Sequence, residues 1–246
     1  MKLASAILSL WGISLGAIAG PSINVGTVFD YMDGDKSTYL KRVYNGGGST
    51  AFVRVSILEI VYKADGTSEE VPLKTQGNAA MRDGLIASPA RLIIPASGTQ
   101  GTRLLFKGIR DQERYFRVRF VPVVPEKEDE FALSTEETDA YKKTLSAGIN
   151  VLAGYGTFFV VRPENAGFDT QINDTAQQYS VKNNGNTIML LDEFKDCSVQ
   201  NPLECEPVTK NHILPGRLFS FTKKAGRHYR FILIEGSNNK PMEVKG

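Results

Sequence analysis

The chain has 246 residues, of which 41% are apolar, 23% charged and 9% aromatic. This composition is typical of a globular protein and excludes a disordered, fibrous or collagen-like chain. The 29 basic and 27 acidic residues give a formal charge of +2. A charge this small does not indicate a positive surface that would bind a phosphate backbone, so we expect no nucleic-acid partner. The length allows one large domain or two domains of about 100 residues each.

The first 19 residues have the pattern of a secretory signal peptide. Met1-Lys2 is a short positive start, the stretch from Leu3 to Ile18 is almost uncharged, and Ala17-Ile18-Ala19 has the small-x-small form of a signal-peptidase site. A membrane anchor is the alternative, but the stretch is short for a hydrocarbon core of ~30 Å and is diluted by glycine and serine. We therefore predict an exported protein from which residues 1–19 are removed.

The first half of the mature chain is predicted to consist of short strands. Apolar and polar side chains alternate from Ala51, with a period of two that indicates a half-buried strand. Similar runs follow at residues 90–94, 102–106 and 114–121, separated by turn-forming sequences such as Asp65-Gly66 and Lys107-Gly108. Short strands at this spacing, without a long helical pattern, indicate an antiparallel β-sandwich.

Residues 125–144 form an insertion that an ordinary sandwich does not need, because hairpin loops rarely exceed a few residues. The insertion is rich in acidic side chains, and Ser134-Thr135-Glu136-Glu137 has the sequence to cap one helical turn. No apolar face is evident that would hold such a turn to a core. The segment is predicted to be either functional or a solvated surface loop.

The longest predicted strand covers residues 145–162. In its first half one face carries side chains at alternate positions, namely Ile149, Val151, Ala153 and Tyr155, and its second half is apolar on both faces. Fully extended, the run would span about 60 Å, which is more than one sandwich requires. An uncharged edge of this kind is an aggregation hazard unless a partner adds a strand to it. The alternative is a long edge that the acidic segment covers.

A second set of strands follows a hinge at Arg162-Pro163-Glu164-Asn165. The candidates are residues 178–182, 187–194, 217–222 and 227–234. We therefore predict an all-β protein with two β-sandwich domains, at residues 20–161 and 164–246.

Two cysteines, Cys197 and Cys205, lie close together in the second predicted domain. The residues between them are polar and include Asn201-Pro202, so a turn can bring the sulfurs together. In an oxidising compartment this pair is predicted to form one local disulfide. A metal site would need about four ligands, and His212 is the only histidine nearby.

Enzymatic motifs are missing from the sequence. It contains no Gly-x-Ser-x-Gly, His-Glu-x-x-His or P-loop pattern, and Gly154-Tyr155-Gly156 lacks the third glycine of a dinucleotide site. His212 and His228 have no acidic or cysteine cluster beside them and are predicted to be surface or half-buried strand residues. We predict that the protein is not an enzyme, with no catalytic residue, metal, cofactor or small-molecule substrate.

The chain resembles the periplasmic pilus-assembly chaperones of the chaperone–usher pathway, and among them the alternate, common-pilus-type branch. The residues that carry the resemblance include Ser-Pro-Ala-Arg-Leu-Ile-Ile-Pro at 88–95 and Gly-Thr-Phe-Phe-Val-Val-Arg-Pro at 156–163. Further matching stretches follow the family's order, at residues 23–26, 37–45, 102–106, 113–117, 183–186 and 214–216. Together they extend over nearly the whole mature chain.

The resemblance implies two immunoglobulin-like domains set at an angle, like a boomerang, in a periplasmic protein. It implies that the first domain lends its long strand to a pilin subunit that lacks its last strand, and passes the subunit to an outer-membrane usher. The donor residues would be Ile149, Val151, Ala153 and Tyr155, with Leu145 and Ala147 as extensions. Self-association of the free protein through the same edge stays open.

The resemblance also implies two charged sites. Arg103 and Glu113 match family positions that form a structural ion pair near the cleft between the domains, although each is equally compatible with a solvated strand charge. The best-known branch anchors the subunit's terminal carboxylate with an arginine in the first strand and a lysine in the donor strand. Here the first-strand region offers three aspartates and Lys36, and the donor-strand position near Thr157-Phe158 carries no charge. The anchor is therefore either absent or supplied from elsewhere in the cleft by Lys41, Arg42 or Arg117, among which we favour Arg117 and Lys41.

Two other functions are compatible with a secreted protein of two sandwiches, namely an adhesin or pilus component and a carbohydrate-active protein. A secreted adhesin or pilus component would need a groove or a donor extension at a terminus, whereas the predicted exposed strand is internal. A carbohydrate-active sandwich would offer an aromatic platform or paired carboxylates, and the single tryptophan, Trp11, lies in the predicted signal peptide.

Overall fold

The computed structural model describes residues 20–63, 65–73, 83–126, 131–146 and 152–246. The predicted signal peptide lies outside these residues. The described residues of the first part of the chain form ten strands and one helix: β1 (Ile23–Asn24), β2 (Phe29–Met32), β3 (Thr38–Asn45), β4 (Ala51–Tyr62), β5 (Ser68–Pro72), β6 (Gly84–Ser88), β7 (Arg91–Ile94), β8 (Thr99–Lys107), β9 (Arg114–Val123), α1 (Thr135–Ser146) and β10 (Tyr155–Val161). The second part contains seven strands: β11 (Thr170–Asp174), β12 (Gln178–Asn183), β13 (Met189–Ser198), β14 (Thr209–Ile213), β15 (Leu218–Thr222), β16 (Arg227–Glu235) and β17 (Asn238–Lys245).

The first sandwich packs a sheet of order β1-β3-β8-β6 against a sheet of order β2-β10-β9-β4-β5, with β7 added to β4. Its core comes from the alternating faces of these strands, as in β9, where Phe116, Val118 and Phe120 are fully buried between exposed or half-buried neighbours. Burial of each such side chain stabilises the fold by roughly 1.5–3 kcal/mol. The period-two pattern in the sequence therefore predicted this sheet correctly.

The second sandwich packs a sheet of order β11-β12-β15 against a sheet of order β14-β13-β16-β17. Its core is rich in aromatic rings, and Tyr179, Tyr229 and Phe231 are buried together. Cys197 and Cys205 are joined by a disulfide at the end of β13, as predicted. The all-β class and the two sandwich-like domains are thus confirmed, whereas the limits 20–161 and 164–246 stay a prediction.

A third apolar cluster joins the two domains. Phe158 and Val160 of β10 pack with Ile60 of β4 on one side, and Ile188 and Leu214 meet them from the second domain. The outer face of β10 is therefore apolar at this end because it is covered by the neighbouring domain.

Helix α1 corrects the prediction for residues 125–144. Ser134 and Glu137 cap it reciprocally, with Glu137 N–H donating to Ser134 Oγ at 3.1 Å and Ser134 N–H donating to Glu137 Oε2 at 2.8 Å. Tyr141 then holds the helix to the sandwich, because its ring meets Phe52 with centroids 4.8 Å apart and its hydroxyl donates to Thr50 O at 2.8 Å. The expectation that nothing would hold this segment to a core was wrong, since Tyr141 of this polar helix contacts both Phe52 and Thr50.

The predicted strand at residues 145–162 is also shorter than expected. Leu145 belongs to the last turn of α1, and β10 begins only at Tyr155. Helix α1 is not long and apolar enough to cross a membrane, and the described part of the chain contains no helix that is.

Candidate functional site

The C-terminal half of β10 is enclosed by strands on both sides. Phe158 to Val161 pair in parallel with β2 and in antiparallel fashion with β9. Phe159 and Val161 point into the first core, and Phe158 and Val160 face the second domain. This half of the strand is therefore part of the permanent structure.

The N-terminal half of β10 has a strand on one side only. Tyr155, Gly156 and Thr157 pair with β9, and among the described residues no strand lies on their other side. The N–H groups of Phe158 and Arg162 donate to carbonyls on the β2 side, so by alternation Gly156 directs its backbone groups to that same, open edge. We refer to residues 152–157 as the open edge.

The residues of the open edge are uncharged, and most are exposed to solvent. Ala153, Gly154 and Gly156 are exposed, and 38% of the Tyr155 surface is accessible. A Cβ atom at Gly154 would lie 2.9 Å from Phe120 O, so this residue passes close to the backbone of β9. Thr157 is buried and donates from Oγ1 to Val118 O at 3.3 Å. The segment thus follows β9 while one of its sides is free.

The predicted donor residues are placed only in part. Ala153 and Tyr155 lie on the open edge, whereas Ile149 and Val151 fall outside the described residues. Of the two extensions, Leu145 is in α1 and Ala147 is outside the described residues.

Arg117 lies directly beside the open edge. Its Nη1 donates to Gly156 O at 3.3 Å, and its Nε donates to Glu70 Oε1 at 2.9 Å. Arg119 binds the second oxygen of the same carboxylate. These bonds, that of Arg117 above all, hold the pKa of Glu70 below its usual value, so the carboxylate is ionised at neutral pH. Two arginines therefore hold one carboxylate on the outer face of the sheet.

Lys41 does not reach this surface. Its side chain is 4% exposed, and its Nζ lies 2.6 Å from both Asp30 Oδ2 and Thr27 O. The ammonium group is thus enclosed within the first sandwich with its own carboxylate, and a role for Lys41 as a carboxylate anchor stays a prediction.

Glu113 lies between the domains, and its partners are hydrogen-bond donors from both of them. Its carboxylate accepts hydrogen bonds from Ile188 N–H at 2.9 Å, from Tyr115 OH at 2.7 Å and from Thr187 Oγ1. Burial raises the pKa of Glu113, against the effect of these donors. Arg103 is exposed on β8, opposite Leu40 and Ser88. Among the described side chains Arg103 and Glu113 form no ion pair, and the exposed Arg103 fits the alternative of a solvated strand charge.

Arg162 is the charged residue at the domain junction that the sequence analysis missed. It is 5% exposed, its Nη1 donates to Thr187 Oγ1 at 2.7 Å, and its guanidinium lies 5.2 Å from the ring centroids of both Tyr31 and Phe168. Its position immediately before Pro163, at the end of a buried strand, was the available signal. A charged side chain at the end of a buried strand is shielded from solvent and needs partners within the protein.

The two histidines are half-buried strand residues, as predicted. His212 stacks on Phe29 with ring centroids 4.1 Å apart, and its Nε2 lies 2.9 Å from Tyr31 OH. Burial lowers the pKa of His212 to about 4, so the ring is neutral at the domain junction. Within the described ranges no three histidine, cysteine or acidic side chains are grouped as metal ligands.

Comparison with known proteins agrees with this geometry. No protein-family model matches the chain. The probable fimbrial chaperone EcpB of Escherichia coli O1:K1 is 26% identical over 234 residues, which cover 93% of this chain and 94% of the relative. The chain is a fimbrial chaperone of the chaperone–usher pathway. This confirms the resemblance that the sequence stretches indicated.

Solved structures share the fold of this chaperone. The class 5 fimbriae chaperone CfaA has a TM-score of 0.53 and 19% identity, covering 92% of this chain and 99% of its own. A chain of the CsuC–CsuE complex, a chaperone with a tip adhesion subunit from Acinetobacter baumannii, has a TM-score of 0.51 and 11% identity, with coverage of 92% and 99%. These likenesses extend over both sandwiches of the chaperone.

Proposed function

We propose that this chaperone stabilises pilin subunits by donor-strand complementation, with the open edge and the residues before it as the donor. The observation that carries the proposal is that β10 has two partner strands from Phe158 onward and one before it. A subunit that lacks a strand would pair with the backbone groups of the open edge, and at Gly156 O it would replace the hydrogen bond from Arg117. Ile149, Val151, Ala153 and Tyr155 would enter its groove as alternate side chains.

The energetics suit a temporary complex. Each Val- or Ile-sized side chain that becomes fully buried contributes roughly 1.5–3 kcal/mol before the cost of association. Ala153 contributes less because it is small, and Gly154 and Gly156 contribute no side chain. The donor is thus apolar enough to bind a groove, while its small residues favour release to a later partner.

The wider setting is proposed from the relatives. The CsuC–CsuE structure is a pre-assembly complex of a chaperone with a tip adhesion subunit, from a chaperone–usher pilus. We place this chaperone in the periplasm after removal of residues 1–19, with an outer-membrane usher as the recipient of its subunit. Residues 20–161 would bind the subunit, and residues 164–246 would form the second immunoglobulin-like domain.

Arg117 is the residue that we propose as the carboxylate anchor. Its guanidinium binds both a carboxylate, that of Glu70, and the backbone of the donor strand at Gly156. A subunit's terminal carboxylate beside the open edge would meet the same donors if Glu70 moved aside. Arg119, which shares Glu70, would be the second donor.

Self-association is the competing use of the same edge. Two copies that paired their open edges would satisfy the same backbone groups, so the free chaperone is proposed to be in equilibrium with a dimer. Sedimentation velocity of the free protein measures this directly, and a subunit should shift the protein into a one-to-one complex.

The test is capture of a pilin subunit by co-expression in the periplasm. Val151→Asp should reduce the recovered complex at least a hundredfold, because an ionised carboxylate would enter an apolar groove. Val199→Asp is the matched control, since Val199 is 60% exposed in the second domain and far in sequence from the donor. Both variants should melt like the wild type. A folded Val151→Asp variant that still recovers the subunit would rule out this donor strand.

A further inference from the structure

The open edge begins where it does because of the short segment that crosses between the two sheets of the first domain. β1 pairs with β3 in one sheet, and β2 pairs with β10 in the other. The chain crosses over residues 25–28, with a turn at Gly26, where φ is +68°. Val28 is the first residue of the crossing that bonds to β10, through its carbonyl and Phe158 N–H at 2.7 Å.

A buried polar cluster fixes the crossing segment to β3. Lys41 of β3 binds Thr27 O and Asp30 Oδ2, each at 2.6 Å. Asp30 also accepts hydrogen bonds from Thr27 Oγ1 at 2.6 Å and from Tyr39 OH at 2.8 Å. The side chains of Lys41 and Asp30 are 4% and 2% exposed, so the pair is shielded from solvent.

Without this cluster the crossing segment has the sequence to extend β2 over the open edge. In the parallel register of β2 and β10, Phe29 lies beside Phe158. Continued backwards by one residue at a time, this register would bring Val28 beside Thr157 and Thr27 beside Gly156. Both have high β-propensity, and their backbone groups would occupy the sites that an added strand needs. Lys41 instead holds the Thr27 carbonyl against the other sheet.

Stability alone does not explain a buried ion pair at this place. Two charges removed from water lose solvation that their attraction barely restores, and apolar residues of similar volume often stabilise a core at least as well. Buried polar pairs are best documented as devices that select one arrangement of the chain over another. The arrangement selected here is the one in which β2 begins to pair with β10 only at Phe29, so that the crossing segment does not pair with the open edge.

We propose that Lys41 and Asp30 are positioning residues for subunit binding, which keep the segment at residues 26–28 away from β10 and so keep the edge at residues 155–157 open. The inference rests on the proposed function for its consequence, subunit capture. Its structural part, an edge kept free of the protein's own chain, is measurable without any subunit.

The test compares double variants of the chaperone. Lys41→Met with Asp30→Leu removes both charges together, and Lys41→Gln with Asp30→Asn keeps hydrogen-bonding groups in place of the charges. The matched control is Asp196→Asn with Arg227→Gln, a half-buried ion pair of the second domain with 2.6 Å between Oδ1 and Nε. Folding is checked by the thermal melt, and amide hydrogen exchange is measured at Gly156 in the free protein.

The expected result is a folded apolar variant in which exchange at Gly156 slows at least tenfold and recovery of a co-expressed pilin subunit falls at least tenfold. The control pair should change neither. Unchanged exchange and capture in a folded variant would overturn the proposal. Loss of folding in both Lys41–Asp30 variants would assign the pair to stability alone, and would also overturn it.

The two proposals fail in different ways. If the wild-type protein recovers no pilin subunit, donor-strand complementation is wrong, and exchange at Gly156 still decides whether the ion pair keeps the edge open. If the wild type recovers its subunit while Gly156 exchanges equally in all variants, only the role of Lys41 and Asp30 is wrong.

Discussion

The two sandwiches of this chaperone treat a strand at the side of a sheet in opposite ways. Among the described strands β17 pairs only with β16, and it presents Lys240, Pro241, Glu243 and Lys245 along its length. Charged side chains and a proline without an N–H group are common protections against pairing with a foreign strand. The open edge, residues 152–157, reads Leu-Ala-Gly-Tyr-Gly-Thr and has neither a charge nor a proline.

The two edges differ in how they are protected against pairing with another strand. Both edges expose backbone groups, so exposure alone does not distinguish them. In the second domain the protection is permanent because it is part of the strand itself. At the open edge Gly156 O accepts a hydrogen bond from the side chain of Arg117, which is partly exposed. A contact of this kind is easily displaced by an incoming strand.

The first prediction is that β17 will pair with other chains if its sequence is made to resemble the open edge. Lys240→Val together with Pro241→Val should make the protein associate more strongly than the wild type at micromolar concentrations, because the new strand has a free N–H and apolar side chains. Sedimentation velocity measures the change. Lys224→Val with Pro207→Val is the matched control, since both residues are exposed outside strands, and it should associate like the wild type. A β17 variant that associates no more than the wild type would show that edge chemistry does not govern association here.

The second prediction concerns the docking of α1, the helix that precedes the open edge in the chain. Tyr141→Ala removes both the ring contact with Phe52 and the hydrogen bond to Thr50 O, and should lower the free energy of unfolding of the docked helix by about 1–3 kcal/mol. Tyr141→Phe keeps the ring and should lose about 1 kcal/mol. Hydrogen exchange of the α1 amides measures both. Equal exchange in the two variants and the wild type would mean that Tyr141 does not dock the helix.

The third prediction, on pH-dependent stability, has the smallest expected effect. It concerns the C-terminal half of β10, where His212 stacks on Phe29 at the start of β2. Burial in the folded protein lowers the pKa of His212 to about 4, below the ordinary value of 6.5, so the unfolded chain binds the proton more readily. The stabilisation is present above pH 6.5 and is lost as the pH falls towards 4. His212→Gln should therefore reduce the drop in melting temperature between pH 7 and about pH 4.5 by a few degrees. An identical pH profile for both proteins would contradict a neutral, buried His212.

Much of the fold was predictable because sheet faces have a local signature. The alternation in β9 and the apolar run at residues 157–161 are visible in the sequence, and both are buried as expected. The disulfide was predictable because its cysteines lie close together in the chain. Helix α1 was not, since its docking depends on Tyr141 meeting Phe52, a contact between residues that are remote in sequence.

The charged residues were harder to predict than the strands. Arg117, Lys41, Arg103 and Glu113 were each assigned a role from the resemblance, and the structure gives two of them other partners. Lys41 binds Asp30, and Glu113 binds the backbone and side chain of the second domain. A charge in a strand does not show in the sequence which carboxylate or carbonyl it will meet, because that choice depends on how the sheets and domains pack.

The sequence by itself determined the all-β class, the two sets of strands, the disulfide and the uncharged stretch before Phe158. These features depend on the order of neighbouring residues, and period-two burial makes them readable. Only the tertiary structure decided that β2 leaves β10 at Phe29, that Lys41 lies in the interior and that Arg162 joins the domains. Those features depend on contacts between residues far apart in the chain. The packing of such residues decides which polar partner a charged side chain meets and which side chains are shielded from water.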